Sequence, residues 1–203
     1  ARHYIKKSLN DALSSEFFDS YLDKLDPARS LMLASDIAEF EKYRFKLDDS
    51  LNDNNLEPAF EMFNRYQQRL VERLEKVIAD LPQTIAALDF SRDEYLELDR
   101  SQASWPNNEA ELEEVWRKRI KSRVISLRLA GKPDNEIAPL LKKRFQNQLN
   151  RVKQSNAEDA FQIYINAFTA LYDPHTNYLS PRKSENFNIN LRLSLEGIGA
   201  VLQ

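Results

Sequence analysis

The 203-residue sequence contains no cysteine, only three glycines and only two histidines. The absence of cysteine excludes disulfides and thiolate metal sites, and it fits a cytosolic or a periplasmic protein equally. Glycine at 3 of 203 lies far below the average usage of about 7%, which argues against a β-rich or loop-rich body. His3 and His175 are too far apart for a short metal motif, and no H-x-x-x-H pair, phosphate loop or dinucleotide glycine fingerprint occurs. No metal and no cofactor are therefore expected. No stretch approaches the roughly 18 uncharged apolar residues of a membrane span, so no transmembrane segment is expected either. The chain opens at Ala1 with neither a start methionine nor a signal peptide, as a mature or truncated polypeptide would.

What the chain does have is charge, at 30% of residues, beside 42% apolar residues. Large amphipathic helices with solvated outer faces give that balance. The net charge of −3 hides a division along the chain. Residues 1–114 carry 14 Lys/Arg against 25 Asp/Glu, whereas residues 115–155 carry 12 Lys/Arg against Asp134 and Glu136 alone. The basic block reads either as a surface for nucleic acid or another anion, or as helices lying near acidic neighbours. Its few aromatics to stack bases favour the second, and no nucleic-acid partner is expected.

The periodicity predicts a mainly α protein of about six or seven helices. The first runs from about Ser8 to Leu25, with Leu9, Leu13, Phe17, Tyr21 and Leu25 in steps of four and Asp26-Pro27 as its stop. Ser35 suits the N-cap of a second helix through about Leu51, and Pro58 the first turn of a long third helix that ends at Pro82. Residues 84–108 are irregular, with Asn107 or Asn108 as the next N-cap. The fourth helix shows the stripe Leu112, Trp116, Ile120, Val124 and Leu127 and closes at Gly131. A fifth spans about Asp134–Lys153. A sixth opens at Asn156, presents Phe161, Tyr164, Ile165, Phe168 and Leu171 on one face, and halts at Asp173-Pro174. Ser180-Pro181 starts a last short helix, and the alternation of Ile189, Leu191, Leu193 and Leu195 with polar residues then reads as a strand. Residues 1–187 are thus a helical domain, and residues 188–203 open a β-containing one.

Carboxylate pairs such as Glu113/Glu114 sit in charged stretches and read as solvated helix faces. Asp173, Pro174, His175 and Thr176 read as a structural turn in which Asp173 accepts backbone hydrogen bonds and Pro174 fixes φ. The informative element is "EGIGAV". Gly197, Ile198, Gly199 and Ala200 between two apolar runs suit a nest of backbone N–H groups that converge on a carboxylate, although an ordinary glycine bend has the same spacing.

The tail "DPHTNYLSPR", followed after a spacer by "LSLEGIGAVLQ", resembles the tail-specific, or C-terminal processing, serine proteases of Gram-negative bacteria. "DRSQASWPNNEAELEEVW", "LRLAGK", "NAEDAF" and "FFDSYLDKLDPARSLML" resemble the helical N-terminal domain of their long periplasmic branch, so the likeness covers essentially the whole chain. The resemblance implies a helical N-terminal domain followed by the first strand and carboxylate loop of a truncated PDZ domain. Asp173, Pro174, His175, Thr176, Tyr178, Ser180 and Pro181 then form the joint before that domain, and Gly197, Ile198, Gly199 and Ala200 begin the loop that holds a substrate's C-terminus. It implies polypeptide substrates with free apolar C-termini, a Ser/Lys dyad that lies downstream of this chain, and a helical adaptor or a second copy as a partner of the helical domain. A standalone helical interaction module is the alternative, and anionic-surface or nucleic-acid binding through residues 115–155 a second one.

Overall fold

The computed structural model describes residues 7–192. Among them are eight α-helices and one 3-10 turn: α1 (Asp11–Leu25), α2 (Ala34–Phe40), the turn Glu41–Tyr43, α3 (Leu47–Asn52), α4 (Glu57–Ala86), α5 (Glu109–Leu129), α6 (Asp134–Lys153), α7 (Ala157–Ala170) and α8 (Pro181–Arg192).

Side-chain chemistry sets most of the ends. Asn10, Asn108 and Asn156 each lie in extended backbone and accept a hydrogen bond from the first turn of α1, α5 and α7, and Asp159 returns the bond to the Asn156 amide as a capping box. At the end of α5, Gly131 takes φ +76°, its N–H donates to Arg128 O at 2.9 Å, and Lys132 N–H donates to Leu127 O at 3.0 Å. This is a Schellman closure, and the left-handed residue in it favours glycine.

Three expectations differ from the structure. The second helix is not continuous but divides into α2, the 3-10 turn and α3. Buried Ser14 on α1 is the cause: its hydroxyl donates to Arg44 O at 2.8 Å and accepts from Leu47 N–H at 2.9 Å, which takes those two backbone groups out of any helical ladder. The N-cap of α2 is Leu33 rather than Ser35, because the Asp36 carboxylate accepts the Leu33 N–H at 3.0 Å. Pro82 does not end α4, which runs on to Ala86 with the proline inside its last turns. Proline there deprives one carbonyl of its donor, a loss the fold tolerates near a helix end.

A fourth difference concerns the tail. The strand read from Ile189 onward is helix as far as Arg192, since α8 continues through it. Four residues of alternation hold too little information to separate the two periods, and a helix nucleated at Ser180-Pro181 extends at low cost. Leu193 and Leu195, like Gly197, Ile198, Gly199 and Ala200, lie outside the described residues.

Two cores form, and α4, about 45 Å long at 1.5 Å per residue, contributes to both. Its second half packs Leu70, Leu74, Val77 and Leu81 against Leu112, Trp116, Ile120, Val124 and Leu127 of α5 and Ile137, Leu141, Phe145 and Leu149 of α6. Its first half packs Met62 and Phe63 against Phe17, Tyr21 and Leu25 of α1, Phe40, and Tyr164 of α7. Every position of the expected α5 stripe is buried, whereas Leu9, expected on the face of the first helix, precedes α1 and is 42% exposed. Phe17 and Tyr21 both pack against the Tyr164 ring, at centroid distances of 4.6 and 5.0 Å. Tyr21 satisfies its hydroxyl on Ala59 O at 2.9 Å, whereas the buried Tyr164 hydroxyl finds no partner among the described residues.

Charges order the helices around α4. Asp36, 1% exposed, receives Arg65 and both the Nε (2.9 Å) and an Nη (3.0 Å) of Arg69. Arg73 reaches Glu109 at 2.8 Å and Glu113 at 2.6 Å on α5, and Lys76 joins Glu113 at 2.6 Å. Burial pushes the Asp36 carboxyl up, but Arg69, the Leu33 N–H and Arg65 outweigh it and hold the group below the usual carboxylate range. A depressed folded pKa means that this contribution is present above the unfolded value, about 4, and is lost as pH falls through the folded one. Asp36→Ala is expected to cost about 3–5 kcal/mol in urea unfolding, because it strands the partner charges. Asp36→Asn is expected to flatten the acid limb of the stability–pH curve below about pH 4. An unchanged acid limb in Asp36→Asn would contradict this role. Tyr164→Phe, which removes only the unpartnered hydroxyl, is expected to leave stability unchanged or raise it by up to about 1 kcal/mol.

Candidate functional site

The segment that leads out of α7 is built around one polar side chain, Asn166, within the apolar and aromatic stretch "IYINAF" of that helix. Asn166 turns its amide toward Tyr178, accepts the Tyr178 N–H at 2.6 Å and donates to Tyr178 O at 3.1 Å. The side chain thereby takes the place of a neighbouring strand, pairing both backbone groups of one residue. One turn on, Thr169 Oγ1 donates to Thr176 O at 3.1 Å. The Tyr178 ring meets Phe161 edge-on at 5.4 Å, so the returning chain is gripped along the face of α7.

The turn itself follows from Asp173-Pro174. Proline disfavours helical backbone at the residue before it, and α7 has ended at Ala170. Asp173 Oδ1 then accepts the His175 N–H at 2.9 Å, Oδ2 accepts Thr176 Oγ1 at 3.1 Å, and Thr176 N–H donates to Asp173 O at 3.1 Å. Pro174 and His175 are exposed. Ser180 is 2% exposed, and its hydroxyl accepts the Lys183 N–H at 3.4 Å in the first turn of α8. Lys183 Nζ pairs with Asp159 of α7 at 3.3 Å, so the serine caps α8 and the lysine links it to α7. An open cleft of about 290 Å³ lies beside them, lined by Lys24, Asp159, Gln162, Asn166, Asn177 and Lys183 among others. The structure therefore brings Asp173, His175, Thr176 and Tyr178 into one hydrogen-bonded turn held by Asn166 and Thr169, with Ser180 capping the helix that follows. Asn166 and Thr169, which hold it, were not singled out from sequence; an asparagine inside "IYINAF" is the signal that marks the first of them.

The basic block resolves into two populations. Arg117 and Lys121 converge on Glu94 of the irregular segment, with Lys121 Nζ 2.6 Å from the carboxylate, and Arg117 also pairs with Glu114. Hydrogen bonds from Arg117 and then Lys121 pull the Glu94 carboxyl down to about 2. Lys153 reaches Glu75 at 2.7 Å, and Arg128 reaches Asp134 at 2.8 Å. These cations lie against acidic neighbours, as the second reading of the block expects. Arg119, Arg123 and Arg144 do not. No group of three or more metal-ligating side chains occurs among the described residues, and no helix among them is long and apolar enough to cross a membrane.

The fold is thus a body of helices around one long central helix, with a gripped turn between α7 and α8. Residues 1–182 match the family described as "Tail specific protease N-terminal domain". The chain is also 40% identical over 202 residues to a "Tail-specific protease" of Haemophilus influenzae, covering 99% of this chain and 29% of that relative. The chain belongs to the tail-specific protease family, as a portion that spans less than a third of that relative's length. The comparisons lend no support to a standalone module or to nucleic-acid binding.

Asn166→Ala is expected to cost about 1–3 kcal/mol, since it leaves the Tyr178 backbone groups without their partner. Hydrogen exchange at the Tyr178 amide should accelerate more than at core amides of α4. Uniform acceleration across the molecule would show that Asn166 supports the whole fold and not this joint.

Proposed function

We propose that the chain is the helical N-terminal scaffold of a periplasmic serine endopeptidase that recognises proteins by free, apolar C-termini and degrades or trims them. The observation that carries the reading is the 40% identity to a tail-specific protease over nearly the whole of this chain. The tail from Asp173 to Gln203 supports it further, through its likeness to the family's approach to a PDZ domain.

In this reading residues 1–187 form the helical domain and residues 188–203 open the PDZ domain, with α8 carrying the chain across that boundary. Gly197, Ile198, Gly199 and Ala200 offer backbone N–H groups to a substrate's terminal carboxylate, which several amide dipoles bind without a side-chain cation. The apolar preference comes from a pocket beside that loop, to which Ile198 contributes. Hydrolysis is performed downstream by a serine nucleophile and a lysine base. That lysine must be neutral to take a proton, which burial favours. The helical domain contributes position: it shapes access to the catalytic region, fixes where the PDZ domain sits, and offers a surface for a helical adaptor or a second copy. No cofactor takes part.

The reading separates into two tests. The 203-residue chain, incubated with an unstructured protein that ends in apolar residues, is expected to leave it intact, whereas the longer protein of which it is part is expected to cleave it. Reproducible cleavage by the 203-residue chain would place the chemistry here and overturn the division of labour. In that longer protein, Gly199→Val is expected to raise KM for such a substrate by about tenfold or more, through loss of close backbone approach to the carboxylate. An unchanged KM would remove the carboxylate role from this loop.

A further inference from the structure

Half-buried arginines in this molecule are, with few exceptions, matched to carboxylates. Arg44 meets Glu41 and Asp19, Arg65 and Arg69 meet Asp36, and Arg117 meets Glu94 and Glu114. Arg119 and Arg123, one turn apart on α5, break the pattern. Arg119 donates to Ser30 Oγ and lies 5.0 Å over the Trp116 ring. Arg123 lies 5.0 Å over the Phe145 ring and has no hydrogen bond or ion pair among the described residues; exposed Arg144 on α6, near enough to act on Arg123, has none either. The two rings are themselves 6.2 Å apart. Two guanidinium groups thus lie on a continuous aromatic floor at the α5–α6 seam, with a third next to them.

Among the described residues, the one negative charge that acts on Arg119 is that of Asp26, and none acts on Arg123. Asp26 is 2% exposed and accepts the N–H groups of Ser30, Leu31 and Met32 at 2.8–3.1 Å. Burial lowers Arg119 and Arg123 from the usual arginine range, and mutual repulsion adds to it: Arg123 and Arg100 act on Arg119, and Arg144 acts on Arg123, against attraction to Asp26 at Arg119 alone. Arg123 is a cation partly removed from water with no counter-charge, and Arg119 has only Asp26, which makes no hydrogen bond to it; a carboxylate brought to the pair offsets that cost.

We propose that Arg119 and Arg123, backed by Trp116 and Phe145 and flanked by Arg144, form a docking site for an acidic helical segment of a partner polypeptide. Three features select that occupant. The guanidinium fork matches a carboxylate in two parallel hydrogen bonds. Residues i and i+4 on α5 lie about 6 Å apart along the helix, the spacing at which a second helix presents two carboxylates at i and i+4. Arginine on a buried aromatic floor is the composition of an interface hot spot, and the ring faces strengthen it by cation–π attraction.

The test uses the 203-residue chain and a fluorescent alanine-based helical peptide bearing Glu at i,i+4 pairs, read by anisotropy at low salt, beside its Gln counterpart. The Glu peptide is expected to bind, and the Gln peptide is not. Arg119→Gln/Arg123→Gln is expected to weaken binding by about tenfold or more, whereas Lys142→Gln/Lys143→Gln, which removes equal charge from exposed positions of α6, is expected to change it less than about twofold. Arg123→Lys keeps the charge and loses the fork, and is expected to weaken binding by about threefold or more even if the double variant fails to fold. Equal losses in both double variants would reduce the effect to net charge and overturn the proposal. So would full affinity in Arg123→Lys, or complete displacement of the peptide by millimolar inorganic phosphate, which would assign a free-oxyanion site instead.

Discussion

The Asp36 carboxylate, 1% exposed and clasped by Arg65, Arg69 and the Leu33 N–H, is the contact on which the arrangement of helices depends. From it a row of cations runs along α4 in steps of four: Arg65, Arg69 and Arg73, with Lys76 closing the row. The row grips α2 through Asp36 and Glu39, and α5 through Glu109 and Glu113. Such a network adds little net stability over apolar packing of the same volume, since desolvation offsets most of the attraction. Its effect is on register. Apolar stripes on α4 and α5 discriminate weakly against sliding by one turn, because an apolar side chain displaced by four residues still meets an apolar one. Arg73 displaced by four residues keeps only one of its two carboxylates, since Glu109 and Glu113 are four apart, so the full set of ion pairs forms in one register.

That constraint explains how one 30-residue helix serves two cores. The first half of α4 belongs to the aromatic cluster with α1 and α7, and the second half to the aliphatic cluster with α5 and α6. The irregular segment that follows α4 is tied back at both ends. Pro106 O accepts the Ala34 N–H at 2.9 Å, Arg100 Nε donates to Ala28 O at 3.1 Å, and Glu94 holds Arg117 and Lys121. Trp116 joins the segment before α2 to α5 through its Nε1 donation to Ser30 O at 2.7 Å. The connections that lack secondary structure are thereby held by side chains from distant helices.

This pattern also marks where the fold was legible in the sequence and where it was not. Local chemistry was readable: the caps at Asn108 and Asn156, glycine after α5, the apolar stripe of α5, and the stop at Asp26-Pro27 all act within a few residues of themselves. One misread position answers to a partner far along the chain: the interruption between α2 and α3 depends on Ser14, thirty-three residues before Leu47. The early start of α2 is local, set by Asp36, whose carboxylate accepts the Leu33 N–H in competition with a Ser35 cap. The period-two reading from Ile189 failed through Arg192 for a different reason, the shortness of the pattern. At the joint, Asp173, Pro174 and Ser180 were visible as turn and cap chemistry, but Asn166 was not, because its role exists only once Tyr178 returns to α7.

The joint and the unmatched arginines come from the same economy of charge and hydrogen bonding. Wherever the backbone leaves regular structure, a side chain supplies the missing partner: Ser14 at residues 44–47, Asp26 at residues 30–32, Asn166 at Tyr178. Wherever an arginine is half removed from water, a carboxylate comes to meet it, save at Arg119 and Arg123. Arg119 and Arg123 are instead layered on Trp116 and Phe145. The aromatic floor holds them in place ahead of any partner, which lowers the ordering cost of association and makes the seam between α5 and α6 a prepared surface.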